Sequence, residues 1–227
     1  MANHHPTTWS DPVARSPISM PGKYVVVDGW EQFDLTSNAA MTLTDESHRT
    51  KVVVRATPNH SVREWLPPLR SSRYSGEILQ VGSGPAEWYL IGAEPPALMV
   101  EGLPIEGGEG FASWVDVTHG RALMRVTGVD TDSMLSKLCA VNLAEGTTPN
   151  SAAFRTSIAG VTTDVIRDDQ DGLRSYLLHC ERSSGQYLFE ALLDAGNEFG
   201  CELGRRVATS SPVGVVKEPG PDRSISA

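Results

Sequence analysis

The strongest constraint on this fold is how its apolar residues are parcelled. They fall in short runs closed by Gly or Pro, of which the 227 residues contain 21 and 15. Lys51–Ala56 (KVVVRA), Glu77–Gly82 (EILQVG) and Glu87–Gly92 (EWYLIG) are rich in β-branched or aromatic residues, so each predicts a strand. Ser113–Thr118 (SWVDVT) and Arg121–Thr127 (RALMRVT) flank His119-Gly120, a connection short enough to predict a hairpin. In the second of these, Ala122, Met124 and Val126 alternate with Arg121, Leu123 and Arg125, predicting one buried face and one largely polar face. Val161–Ile166 and Arg174–Cys180 predict a second hairpin. Its turn, Asp168-Asp169-Gln170-Asp171-Gly172, supplies the Asp-Gly pair that tolerates positive φ.

Two segments carry helical period instead. After Asp130 or Thr131, Met134, Leu135, Leu138 and Val141 share a face, which predicts a helix to about Val141. After Ser183 or Ser184, Leu188, Ala191, Leu192, Ala195 and Phe199 form an apolar stripe opposite Glu190, Asp194 and Glu198. Gly200 supplies the stop. A short turn is predicted at Ser61, with Glu64 as capping partner and Pro67-Pro68 as terminator. From Ser113 onward the order is strand, strand, helix, strand, strand, strand, helix. Hairpins with helices on one face make an α+β domain of antiparallel sheets, with a ferredoxin-like split arrangement. Residues 1–22 are polar and proline-punctuated and predict a mobile arm; 206–227 predict a disordered tail; the globular domain spans 23–205.

Charge narrows the partners. Lys and Arg number 19 against 28 Asp and Glu, a net charge of −9, whereas nucleic-acid binding needs a basic surplus on one face. No apolar run approaches the roughly 20 residues of a membrane helix, and no basic-then-apolar leader is expected at the start. Cys139, Cys180 and Cys201 are far apart and odd in number, which fits a reducing cytoplasm better than a disulfide framework.

The sequence shows no dinucleotide loop after a strand, no paired Cys/His metal spacing and no nucleophile elbow, so no catalytic or metal-ligating residue is assigned. His119, three residues after Asp116 at a strand end, is the best single candidate for acid–base chemistry. A turn histidine bonded to its own hairpin is the commoner case, with Asp116 orienting that turn. Trp88 and Trp114 read as core aromatics, with stacking on a pterin ring as the alternative use of either. Trp30 and Trp65, in irregular stretches, fit partner contact. Arg182 at a helix start can pin a carboxylate or a partner, though helix-end arginines more often make surface ion pairs. Cys139 and Cys180 read as buried inert thiols and Cys201 as accessible.

Four stretches together resemble a known family. They are Gly84-Pro85-Ala86-Glu87-Trp88-Tyr89-Leu90, Val115-Asp116-Val117-Thr118-His119, Leu135-Ser136-Lys137-Leu138-Cys139-Ala140-Val141-Asn142-Leu143 and Arg182-Ser183-Ser184-Gly185-Gln186-Tyr187-Leu188-Phe189-Glu190-Ala191-Leu192. The pattern, spread from about Arg15 to Gly204, is similar to the gamma subunit of heterotetrameric sarcosine oxidase. Asn142 stands where that family more often has Asp, and Phe189 where it has Trp. The resemblance implies a folate-binding, T-protein-like domain without a cofactor of its own, serving assembly. It implies alpha and beta partner subunits that carry FAD, FMN, NAD and tetrahydrofolate, and a delta partner associated with zinc. It also implies a complex that demethylates sarcosine to glycine, forms hydrogen peroxide and passes the one-carbon unit to tetrahydrofolate. The candidate cofactor contacts from this chain are Asp116, His119, Trp88 and Arg182. Two other readings stand beside it: a stand-alone tetrahydrofolate-dependent demethylase or aminomethyltransferase, and a structural protein that reuses the fold.

Overall fold

The computed structural model of the protein describes Pro12–Val207. The chain opens with a small ribbon of β1 (Ala14–Arg15), β2 (Tyr24–Val27) and β3 (Trp30–Phe33), followed by β4 (Thr36–Ser37). It continues through β5 (Met41–Asp45), β6 (Thr50–Ala56), β7 (Ser72–Ser75), β8 (Ile78–Gly84), β9 (Glu87–Gly92) and the single-turn α1 (Pro96–Met99). Next come β10 (Ala112–Asp116), β11 (Arg121–Gly128) and α2 (Thr131–Ser136). The chain closes with β12 (Ala153–Ile158), β13 (Val161–Arg167), β14 (Ser175–Glu181), α3 (Gly185–Gly196), β15 (Cys201–Leu203) and β16 (Arg205–Arg206).

Two sheets dominate. One runs β12-β13-β14-β11-β5-β15 and the other β10-β6-β9-β8-β7. In the first, β11, α2, β13, β14, α3 and β15 follow the ferredoxin-like order, with β5 inserted between the outer β15 and β11. The helices cover one face of this sheet. Leu188, Phe189, Leu192 and Ala195 of α3 and Met134 and Leu135 of α2 pack on Met124, Val126, Tyr176 and Leu178. Gly185 permits that approach, because a Cβ there would lie 2.7 Å from the Ala122 Cβ. The opposite face stacks on the five-stranded sheet: Leu123, Ile166 and Leu177 meet Val53, Leu79, Tyr89 and Ile91. The outer face of the five-stranded sheet buries Val52, Val54, Trp88 and Leu90 under Val62, Leu66 and Met99.

The architecture confirms the α+β expectation, the second hairpin (β13–β14), and the long last helix, α3, which passes into a 3-10 turn over Asn197–Phe199 that Gly200 stops in the left-handed conformation, φ 66°. Several expectations are corrected. Ser113–Thr118 and Arg121–Thr127 are not a hairpin. β10 pairs with β6, β11 pairs with β14 and β5, and a 3-10 turn over Thr118–Gly120 carries the chain from one sheet to the other. The supposed polar face of β11 is buried along with the apolar one, because the second sheet covers it. The helix after Asp130 stops at Ser136. Leu138, Cys139 and Val141 still reach the core, as irregular chain. The short turn Ser61–Trp65 is capped by His60, whose Nδ1 accepts from the Val62 N–H at 3.2 Å, not by Ser61. The expected arm 1–22 is part of the fold in its second half: β1 pairs with β3, and Ile18 and Met20 insert into the main core. Arg206, expected to open the tail, instead pairs with Ser37 as β16 adds to β4. Residues 1–11 and 208–227 lie outside the described residues.

Candidate functional site

The residues singled out in the sequence divide between two places. Asp116, His119 and Arg182 meet at the turn between the sheets. Asp116 Oδ1 accepts from the Thr118 N–H at 2.9 Å and so caps the 3-10 turn. His119 is exposed and lies flat on Trp30 of β3, ring centroids 4.8 Å apart and planes 7° apart. Among the described residues no carboxylate lies within ion-pair distance of His119, so the acid–base pairing with Asp116 is not formed. Arg182 donates through Nη1 to the His119 carbonyl at 3.3 Å and through Nη2 to the Arg15 carbonyl at 2.9 Å. These three residues therefore clasp the N-terminal ribbon to the body. Trp88 lies apart, buried on the outer face of the five-stranded sheet. Its Nε1–H donates to the Pro67 carbonyl at 2.8 Å and its ring sits under Arg63, which leaves no face for a pterin. Trp114 is exposed rather than core, because β10 is an edge strand. Cys201 is buried rather than accessible, because it opens β15 beneath α3, and burial pushes its thiol up to about 11.

The concave site is elsewhere. Where the five-stranded sheet ends, the face of the six-stranded sheet that carries Thr42, Thr44, Arg125 and Thr127 is open, and the ribbon β2–β3 arches over it. The result is a cleft of about 500 Å³. Its floor is a buried arginine. Arg125 Nε donates to Glu46 Oε1 at 2.7 Å, Nη2 to Asp168 Oδ2 at 2.8 Å and Nη1 to Ser175 Oγ at 3.0 Å. Tyr74 donates from its hydroxyl to the same Asp168 oxygen at 3.1 Å. Burial alone would raise the Glu46 carboxyl, but Arg125 and Arg49 outweigh it and hold it below its ordinary range. His48 at the wall is pushed down by burial against the opposing pull of Glu46 and Asp45, so it presents a neutral imidazole to the cleft.

Behind the cleft a second polar group lies between the sheets. Lys51 alternates with Val52 on β6 and is fully buried. Its Nζ donates to the carbonyls of Ser47 and Arg49 at 2.7 and 2.6 Å, and burial pushes its ammonium down to about 7. His179 is buried on β14 opposite Asp164 of β13, edge-on to Tyr89 at 4.5 Å. Its Nδ1 is 3.6 Å from Asp164 Oδ2, too long for a hydrogen bond. Burial pushes His179 down, so the ring is neutral. Burial would raise Asp164, yet the hydrogen bonds donated by Arg155 and Ser83 hold it down, at about 2. The sequence reading missed Arg125, Glu46, Lys51, Asp164 and His179. For Lys51, Arg125, Asp164 and His179 the signal was a polar residue inside a strand of largely β-branched or apolar residues, a pattern that demands a buried partner; Glu46, outside any strand, gave none.

Each carboxylate of the floor is already matched by an arginine, and among the described residues no cluster of three or more His, Cys, Asp or Glu is placed to hold a metal ion. Among the same residues no helix is long and apolar enough to cross a membrane.

No family model matches the chain, and no curated protein matches it. Solved structures do. A chain of the heterotetrameric sarcosine oxidase from Corynebacterium sp. U-96, in complex with pyrrole 2-carboxylate, is 21% identical with a TM-score of 0.61. The match covers 73% of this chain and 88% of that one. The glycine cleavage system aminomethyltransferase T from Bartonella henselae is 16% identical with a TM-score of 0.60, over 80% of this chain and 55% of that one. The chain has the T-protein-like fold. The fold class expected from the sequence is therefore the observed one, and at these identities the likeness is one of fold. The match takes in nearly all of the sarcosine oxidase chain but about half of the aminomethyltransferase.

Proposed function

We propose that this chain is a non-catalytic, gamma-type subunit of a flavin-dependent heterotetrameric sarcosine oxidase, serving assembly and stability of the complex. The observation that carries this reading is the extent of the structural match: 88% of one chain of a sarcosine oxidase, against 55% of a single-chain aminomethyltransferase. The match thus spans most of one sarcosine oxidase chain but about half of the aminomethyltransferase. The self-neutralised cleft floor and the structural employment of Asp116, His119, Arg182 and Trp88 agree with a chain that does no chemistry of its own. On this reading FAD, FMN, NAD and tetrahydrofolate belong to alpha, beta and delta partners. The assembled complex oxidises sarcosine to glycine with release of hydrogen peroxide, passing the one-carbon unit to tetrahydrofolate. The test is co-expression with such subunits and size-exclusion chromatography followed at flavin wavelengths. The chain is expected in a yellow fraction that oxidises sarcosine; elution alone and colourless overturns the reading.

The cleft supports a second reading, a stand-alone tetrahydrofolate-dependent demethylase or aminomethyltransferase, since about 500 Å³ suits a small-molecule ligand. That reading requires saturable stabilisation of the isolated chain by tetrahydrofolate in a thermal-shift titration; an unmoved Tm removes it.

A further inference from the structure

The free edge of the five-stranded sheet has features that a solvated edge strand avoids. Among the described residues β10 ends the sheet order and is paired only on its β6 side. The Thr57 N–H donates to the Phe111 carbonyl and the Val117 N–H to the Lys51 carbonyl, both at 2.9 Å. Antiparallel alternation then points the N–H and C=O groups of Ala112, Trp114 and Asp116 outward. Edge strands are ordinarily blunted by Lys, Pro or a bulge. β10 reads ASWVD, has an unbroken register with β6 and carries none of these. Phe111, Val115 and Trp114 are instead 64%, 52% and 39% exposed along it. An open groove of about 510 Å³ runs beside the strand, walled by Ile105, Glu106, Phe111 and Trp114.

Carboxylates are concentrated along this edge: Glu106 walls the groove, Glu109 lies two residues before Phe111 and Asp116 closes β10. Between Arg73 and Arg121 the sequence has no Lys or Arg, yet it holds Glu77, Glu87, Glu94, Glu101, Glu106, Glu109 and Asp116. Of these, among the described residues, only Glu87 has ion-pair partners, Arg55 and Arg155. The nearby cations are engaged, Arg55 with Glu87 and Arg63 over the Trp88 ring.

We propose that the free edge of β10 is the docking site for an extended segment of a partner protein, carrying Lys or Arg beside apolar residues and adding to this sheet as a further strand. An open ladder accepts only extended backbone, and exposed Phe111, Trp114 and Val115 call for apolar side chains opposite them. The unneutralised carboxylates select a cationic segment. A second copy of the same edge is disfavoured, because it would set these carboxylates against one another. This deepens the subunit reading, on which the identity of the partner rests.

The test titrates the full chain with an acetylated heptapeptide of alternating Lys and Val, using alternating Glu and Val as the control, and follows amide hydrogen exchange. The Lys/Val peptide is expected to slow exchange at Trp114 and Asp116 about tenfold or more, and to weaken with added salt. Ala112→Pro removes an outward N–H without taking a ladder bond to β6, and the pair Glu106→Lys, Glu109→Lys reverses the charge. Each is expected to weaken binding about tenfold or more at unchanged Tm. If the proline variant fails to fold, the charge variant decides. Equal binding of the two peptides, binding without protection of those amides, or dimerisation through β10 overturns the proposal. Peptide docking without co-elution with oxidase subunits removes the subunit reading and leaves this surface standing. Co-elution with the β10 amides still exchanging freely removes the surface and leaves the subunit reading.

Discussion

Replacing Lys51 with Met tests the buried layer between the sheets. The ammonium is fully buried, is held by two backbone carbonyls with no carboxylate at ion-pair distance among the described residues, and is pushed down to about 7 by burial. In the unfolded chain it titrates near its ordinary value of about 10.4. A lysine depressed by folding binds fewer protons folded than unfolded between those values, so its contribution to stability rises with pH across that window. The penalty is greatest below about pH 7 and is relieved above it. Integrated from about pH 7 to about pH 8.5, this amounts to roughly 1.5 kcal/mol. The window closes there because Cys180 and Cys201, both pushed up to about 11 by burial, begin to act in the opposite direction. The assay is urea unfolding of wild type and Lys51→Met across that range. Met fills the volume but leaves the Ser47 and Arg49 carbonyls without their donor, so the slope and not the absolute stability is the readout. Wild type is expected to gain roughly 1.5 kcal/mol on the variant; parallel profiles would refute a buried, depressed lysine.

Arg125→Met leaves Asp168 without its cation and Glu46 with Arg49 alone, and is expected to cost about 3–5 kcal/mol in urea unfolding. Retained stability would mean that the cleft floor is hydrated. Trp30→Ala removes the stacking on His119, so exchange at the Ala14 amide, bonded to the Gly29 carbonyl, should quicken while global stability falls by about 1 kcal/mol or less. A large global loss would show the ribbon to be part of the cooperative core. In native protein, Cys139 should react with a thiol reagent well before Cys180 or Cys201, whose thiols are buried; equal rates would contradict the packing beneath α3.

Local pattern was sufficient for the elements that obey one rule each. The stripe Leu188, Leu192, Ala195 and the stop at Gly200 defined α3, and Asp171-Gly172 defined the turn between β13 and β14, with both residues at positive φ. What escaped depended on which strands meet across the sequence. His119-Gly120 has hairpin chemistry, but whether the strands beside it pair with each other or join different sheets is settled by β5 and β6, which compete for them. The polar alternation of β11 likewise looked like a solvated face, yet Arg125 is matched to Glu46 and Asp168 from distant segments. The fold class followed from element order, as did the ferredoxin-like core; β5, inserted in that core, did not. The cleft residues were invisible because each is an ordinary charge until its partners, 79 and 43 residues away from Arg125, are brought to it.

The central claim is that this chain supports assembly without taking part in the chemistry. Its most direct test is to express the oxidase alpha-, beta- and delta-type subunits with and without the chain, and to measure both the yield of soluble flavoprotein complex and sarcosine turnover per bound flavin. Omission is expected to lower the yield and thermal lifetime of the complex while turnover per flavin in whatever assembles is unchanged. A complex that assembles fully without the chain but loses turnover per flavin would contradict the account and assign the chain a part in catalysis.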